Sequence, residues 1–163
     1  MVSKRLSGEA GHRRKFMAIV DDTPECIRAV RYAGRRAKNS NGGLVLCYII
    51  PEQETQQWIG VQEIIRAEAR EEAESIVNRA AENVREAIGI EPEIVILEGD
   101  RAERINAAVE EDRDIAILVL AAGPAKEGPG PLVSMLAARG KAFTIPVTVL
   151  PDGLDDADID ALC

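Results

Sequence analysis

Two short stretches carry the residues with which this chain could do chemistry. The first is Asp21-Asp22-Thr23-Pro24, two carboxylates and a hydroxyl side by side. The second is glycine-rich: Gly123-Pro124 and then, after an intervening segment, Gly128-Pro129-Gly130-Pro131. Carboxylates accept hydrogen bonds from hydroxyl and amino groups, and a glycine turn that opens a helix offers free N–H groups and a positive dipole end to an anion. The pair points to gripping a small ligand rather than turning one over. His12 is the single histidine and sits in a polar N-terminal segment. A Ser-His-Asp or Cys-His machine, or a zinc centre, is therefore not expected, since each needs histidine or clustered cysteine held in a pocket. Cys26, Cys47 and Cys163 fall in no paired spacing; this fits a reducing compartment, and Cys26 and Cys47 are read as packing residues. No catalytic residue and no metal ligand is assigned, and carboxylates are the only general bases at hand, so no enzyme is expected.

The elements that must position these stretches follow from the apolar pattern. Lys15–Val20 reads as a strand ending at Asp21, and the Asp/Thr-Pro sequence as the start of a helix over 24–38. That helix carries Ile27, Val30, Ala33, Gly34 and Ala37 on one stripe. Arg28, Arg31, Arg35, Arg36 and Lys38 lie off the stripe and read as a solvated face. Asn39 through Gly43 turn the chain into a second strand over 44–50, closed by Pro51. A long helix over 61–88 follows, its apolar residues from Ile64 and Ile65 to Val84 and Ile88 forming a stripe against the sheet. A third strand over 93–97 and a short helix over 102–111 come next. The glycine loop lies between a strand over 115–122, apolar enough for burial on both faces, and a helix opened by Pro131. Residues 144–150 form a fifth strand, placed at a sheet edge by Pro146.

Strands alternating with helices imply an α/β domain with a parallel sheet built by right-handed crossovers. Strands one and four then lie centrally, and the Asp21–Thr23 and Gly123–Gly130 stretches face each other across the topological switch point. Residues 15–151 make this domain; 1–14 are expected to be a disordered basic tail, and 152–163, with five aspartates, a mobile acidic one.

Composition narrows the function. The chain has 163 residues, room for one domain with a real core. No apolar run is long enough to span a membrane, and the basic N-terminal stretch has no apolar segment behind it, so a cytoplasmic protein is expected. The net charge of −8 and the scattered aromatics Phe16, Tyr32, Tyr48, Trp58 and Phe143 argue against nucleic acid as a partner.

The order and spacing of several landmarks resemble the universal stress protein family over nearly all of 15–151. They are Ala18-Ile19-Val20-Asp21-Asp22-Thr23-Pro24-Glu25, Arg31-Tyr32-Ala33, residues 44–50, Glu98-Gly99-Asp100 with Ala102, Ile117-Leu118-Val119-Leu120 and Ile145-Pro146-Val147. The resemblance implies a three-layer α/β/α fold of the adenine nucleotide alpha hydrolase-like kind, with a five-stranded parallel sheet of order 3-2-1-4-5. It implies a homodimer, here through the fifth strand. It also implies an adenine nucleotide such as ATP or AMP, with Asp21 and Ile49 at the adenosine and Gly123, Gly128 and Gly130 near the phosphates. Asp22, Thr23, Ala121 and Ser134 complete the expected contacts, with Mg²⁺ between the second carboxylate and the phosphates. The family's phosphate motif is Gly, two residues, Gly, nine residues, Gly, then Ser or Thr. This chain departs from it: Pro131 stands where the hydroxyl residue belongs, Ser134 lies a turn further on, and Lys126 is the positive charge at hand. Two regulatory readings follow: a nucleotide-responsive stress protein, or a member that binds no nucleotide and acts through dimerisation and protein partners; the resemblance leaves an enzyme, a slow ATPase or a nucleotidyl-chemistry relative with this fold, as the third.

Overall fold

The computed structural model describes residues 3–52, 58–124, 126–138 and 143–163. The apolar runs become β1 (Lys15–Val20), β2 (Gly43–Ile50), β3 (Glu93–Glu98), β4 (Ile115–Ala121) and β5 (Val147–Leu150). They form one five-stranded sheet in the order β3-β2-β1-β4-β5, every neighbouring pair parallel. Helices α1 (Cys26–Asn39), α2 (Ile59–Ala87), α3 (Arg101–Glu111) and α4 (Pro131–Ala138) are the crossovers. A last helix, α5 (Asp156–Leu162), follows the sheet.

Alternate residues of each strand feed two cores, as strand geometry requires. Phe16, Ala18, Leu44, Leu46 and Val119 pack beneath α1 and α2 with Ala33, Ala37, Val77 and Val84. Met17, Ile19, Val45, Cys47, Leu118 and Leu120 pack on the other face against Ile105 and Val109 of α3 and Leu132 of α4. Both faces of the central strands are thus buried, which is why those runs are continuous rather than alternating. Among the described residues no helix is long and apolar enough to cross a membrane.

The structure departs from the expectations in several places, each for a physical reason. Ile27 is 59% exposed, and the buried face of α1 is Cys26, Ala29, Val30, Ala33, Gly34 and Ala37. The α2 stripe is buried only from Ala73 onward, and Ile64 is exposed. A helix of 29 residues is about 43 Å long, and the strands beneath it are roughly half that, so its first half overshoots the sheet. β5 begins at Val147 rather than 144 because Pro146 has no N–H to give a ladder; its carbonyl instead accepts from the Leu118 N–H at 3.0 Å.

The two ends, expected to be disordered and mobile, lie against the body. The Leu6 N–H donates to the Arg113 carbonyl at 2.9 Å, and the Arg5 guanidinium reaches the Val109 carbonyl and the Glu110 carboxylate. His12 sits beside Asp114, Nδ1 to Oδ1 at 2.7 Å. At the other end, Asp155 and Asp158 close a capping box that starts α5, and Ile159 is fully buried. α5 lies on α1: Arg31 makes a two-pronged contact with Asp160 at 2.8 and 2.7 Å, and Arg35 adds a third at 3.2 Å. Arg31 and Arg35, read as part of a solvated face, are therefore the bed of the acidic helix.

Candidate functional site

The site is built where β1 and β4 deliver their C-terminal ends. Val20 pairs with Tyr48 and ends β1, so Asp21 is the first residue beyond the ladder. Its carboxylate turns back on its own chain, accepting from the Thr23 N–H at 2.9 Å and from the Thr23 hydroxyl. This local turn, favoured by Asp two residues before the donor, holds Asp21 at 8% exposure while Asp22 is left exposed. Glu25 then occupies the N-cap position of α1 without bonding its side chain to the helix.

Beyond Ala121 the chain enters the glycine loop. It closes on itself: the Gly123 N–H donates to the Pro129 carbonyl at 2.9 Å, and Glu127 N–H to the Pro124 carbonyl at 2.9 Å. Gly128 and Gly130 adopt φ of +83° and +88°, the left-handed region in which a side chain is strained. The first bond of α4 runs from the Ser134 N–H to the Gly130 carbonyl at 3.0 Å. Arg28 crosses from α1 to hold the Ala122 carbonyl at 2.8 Å, pinning the loop's entrance.

Glu25 joins the two halves. It is 8% exposed, and its carboxylate points into the glycine loop. A Cβ on Gly123 would come within 2.9 Å of Glu25 Oε1, and one on Gly130 within 3.2 Å. The loop glycines thus leave room for an anionic group, and the group there is the chain's own.

The result is a crevice open at one end and filled at the other. The filled end, between Asp21, Thr23, Glu25, Ala121, Gly130 and Leu132, retains only ≈ 10 Å³. The open end, lined by Ile19, Asp21, Asp22, Tyr48, Ile49, Pro51, Arg101 and Leu132, holds ≈ 170 Å³. Arg101 opens α3, placed there by the cap that Asp100 forms with the Glu103 N–H at 3.1 Å. It is the basic residue among those lining the open end. The Tyr48 hydroxyl is held above its usual titration range by burial first and then by Asp22, Glu72 and Asp21, with Arg101 acting the other way. Burial also pushes the Cys26 thiol up to about 11 and the Cys47 thiol to about 12, the behaviour of packing cysteines rather than nucleophiles.

Of the residues singled out from sequence, Asp21, Asp22 and Ile49 meet at the open end, and Asp21, Thr23, Ala121 and Gly130 at the filled end. Gly123 backs the Glu25 carboxylate. Gly128 has open space around its Cβ position, and Ser134 is exposed; neither lines the crevice. The sequence reading missed Glu25, Tyr48 and Arg101 as site residues. The signal for Glu25 was an acidic residue directly after the helix-opening proline, but its partner loop lies far along the chain. Among the described residues no group of three His, Cys, Asp or Glu side chains could hold a metal ion.

A parallel sheet of this order, with helices on both faces, is a doubly wound α/β architecture, in which ligands bind at the switch point between the central strands. The sequence model of the universal stress protein family matches residues 12–151, and the chain belongs to that family. Universal stress protein UspA from Lactobacillus plantarum superposes with a TM-score of 0.69 at 14% identity, over 86% of this chain and 99% of that one. A family protein from Arabidopsis thaliana with AMP bound gives 0.60 at 19% identity, over 89% and 99%. The universal stress protein from Archaeoglobus fulgidus in complex with dAMP gives 0.57 at 16%, over 83% and 96%. At such identities these likenesses show the fold. No curated protein matches the chain at a significant level.

Proposed function

We propose that the protein is a cytoplasmic, non-enzymatic regulator of the stress response that binds the adenosine portion of an adenine nucleotide or nucleoside in the crevice. The observation carrying this reading is the ≈ 170 Å³ open end, where Asp21, Asp22 and Ile49 converge beside Arg101. Ile49 and Leu132 supply apolar walls for a ring, and the second oxygen of Asp21, not used by Thr23, can accept from a ribose hydroxyl or an adenine amino group. The relatives with AMP and dAMP support the ligand class. The phosphate half fits less well. Ligand pockets usually span about 300–1,000 Å³; the open end, at ≈ 170 Å³, has room for part of a nucleoside, and the loop end, at ≈ 10 Å³, has none for a phosphate.

Calorimetry with adenosine, AMP, ADP and ATP, with and without Mg²⁺, tests the reading. Asp21→Ala should weaken the best of these by roughly tenfold to a hundredfold, the loss of a charged hydrogen bond worth about 1.5–3 kcal/mol. Absence of heat and of any thermal shift at millimolar ligand would sink it. The filled loop favours the second reading, a family member acting through a homodimer and protein partners alone, and that outcome would promote it.

A further inference from the structure

Helix α3 leaves one part of the sheet bare. β3 is the outer strand, and α3 runs from its end back across the sheet to reach β4, so Val95 and Leu97 are only half-buried. A groove of ≈ 470 Å³ opens there, floored by Met17, Val45, Val95, Leu97 and Ile115. Its other wall is made by Arg104, Ala107, Ala108 and Glu111, which share one face of α3. Arg104 and Glu111 are exposed, and among the described residues no hydrogen bond or ion pair reaches either charged group. They stand two helical turns apart, about 10 Å. Gly99 makes room for Arg104 at one end: a Cβ there would come within 2.8 Å of Arg104 Nε. At the other end Glu93 and Asp112 join Glu111 on the rim. Lys15 serves Glu93 at 2.9 Å and Asp112 at 2.7 Å, which still leaves that end net negative. The groove is thus apolar along its length, positive at one end and negative at the other.

We propose that this face docks a second copy of the chain, with the two α3 helices antiparallel about a two-fold axis between Ala107 and Ala108. A two-fold axis reverses the groove, so the positive end of each copy meets the negative end of the other. Arg104 of each copy then faces Glu111 of the other, and each finds the opposite charge it lacks. Ala107 and Ala108 meet across the axis, and side chains that small let two helices approach to about 8 Å. Each α3 covers the half-buried Val95 and Leu97 of the other copy. The pairing uses neither the crevice nor the edge of β5, so it stands apart from both functional readings. One helix and one strand make a face at the small end of interface sizes, so the association belongs to the upper micromolar range.

Sedimentation equilibrium on the full chain, from about 10 µM to about 1 mM, tests it. The average mass should rise beyond that of the species present at the dilute end. Arg104→Glu and Glu111→Arg each set like charges against one another at both contacts. Each should move the rise at least about tenfold higher in concentration. One variant makes the chain more acidic and the other less, so a loss shared by both is not an effect of net charge. Mixed in equal amounts, the two variants oppose unlike charges at both contacts again. The rise should then return to within about threefold of the wild type. A mass that stays constant across the range overturns the proposal. So does a rise that either single variant leaves unchanged, which would put the association on another face, or one that the mixture fails to restore.

Discussion

Gly42 shows how a residue can be indispensable for a reason no local pattern contains. It lies in the turn after α1, where its N–H donates to the Ala37 carbonyl at 2.7 Å. A Cβ there would sit 2.3 Å from the backbone carbonyl oxygen of Arg14, the group that accepts from the Gly43 N–H at 2.9 Å. Backbone cannot step aside as a flexible side chain can. Gly42→Ala should therefore destabilise the protein by about 1–3 kcal/mol, read from the shift of a urea unfolding midpoint. The turn itself was legible from Asn39 to Gly43; the need for glycine at that one position was not, because Arg14 is distant in sequence. The same holds for Glu25. The aspartates and glycines of the crevice announce themselves by type, but a glutamate after a proline looks like any helix-start residue until the loop it enters is in place.

At the scale of elements, α5 is the clearest lesson. Counting charges separates the five aspartates at the C-terminal end from the arginines of α1, leaving the first a mobile segment and the second a solvated face. Their complementarity spans the chain, and the single buried anchor, Ile159, is too little to mark a helical period. Asp160 is held below its usual titration range, first by the hydrogen bond from Arg31 and then by the charges of Arg31 and Arg35. The folded form therefore binds that proton less readily than the unfolded chain does. The docking contribution is complete above the ordinary carboxylate range and is lost as pH falls through the lowered one. Hydrogen exchange should show residues 156–162 opening on acidification before the sheet does. Asp160→Asn should open them several-fold faster at neutral pH and abolish the Asp160-dependent part of the pH response. Unchanged protection of α5 in Asp160→Asn would show that Ile159 and the capping box hold it alone. The strands and crossover helices, by contrast, were legible because each run is long enough to declare its own period.

For the whole molecule, sheet order and the two-faced core follow from alternation and handedness; the number of copies does not. β5 is the outer strand beside β4. The carbonyls of Pro146 and Leu150 accept from β4, at Leu118 and Ala122. In a parallel ladder the N–H groups of Val147 and Val149 then face the free edge. The homodimer of the second reading would pair through these groups. Val149→Pro removes one of them and spares the β4 side, so it should convert a dimer at micromolar concentration into a folded monomer by light scattering. A wild-type monomer at that concentration contradicts the dimer. The docking of the two ends has a mechanical consequence as well. Residues 3–14 are fastened to the α3 layer and α5 to the α1 layer. Tension applied between the ends would enter on opposite sides of the sheet. The C-terminal side, held by ion pairs and one isoleucine, would peel first and release roughly 35–40 Å of chain as residues 153–163 straighten. The load would then fall on β5, whose four residues shear against β4 before the longer central strands part, so the fold carries a short, yielding spring in series with a stiff plate.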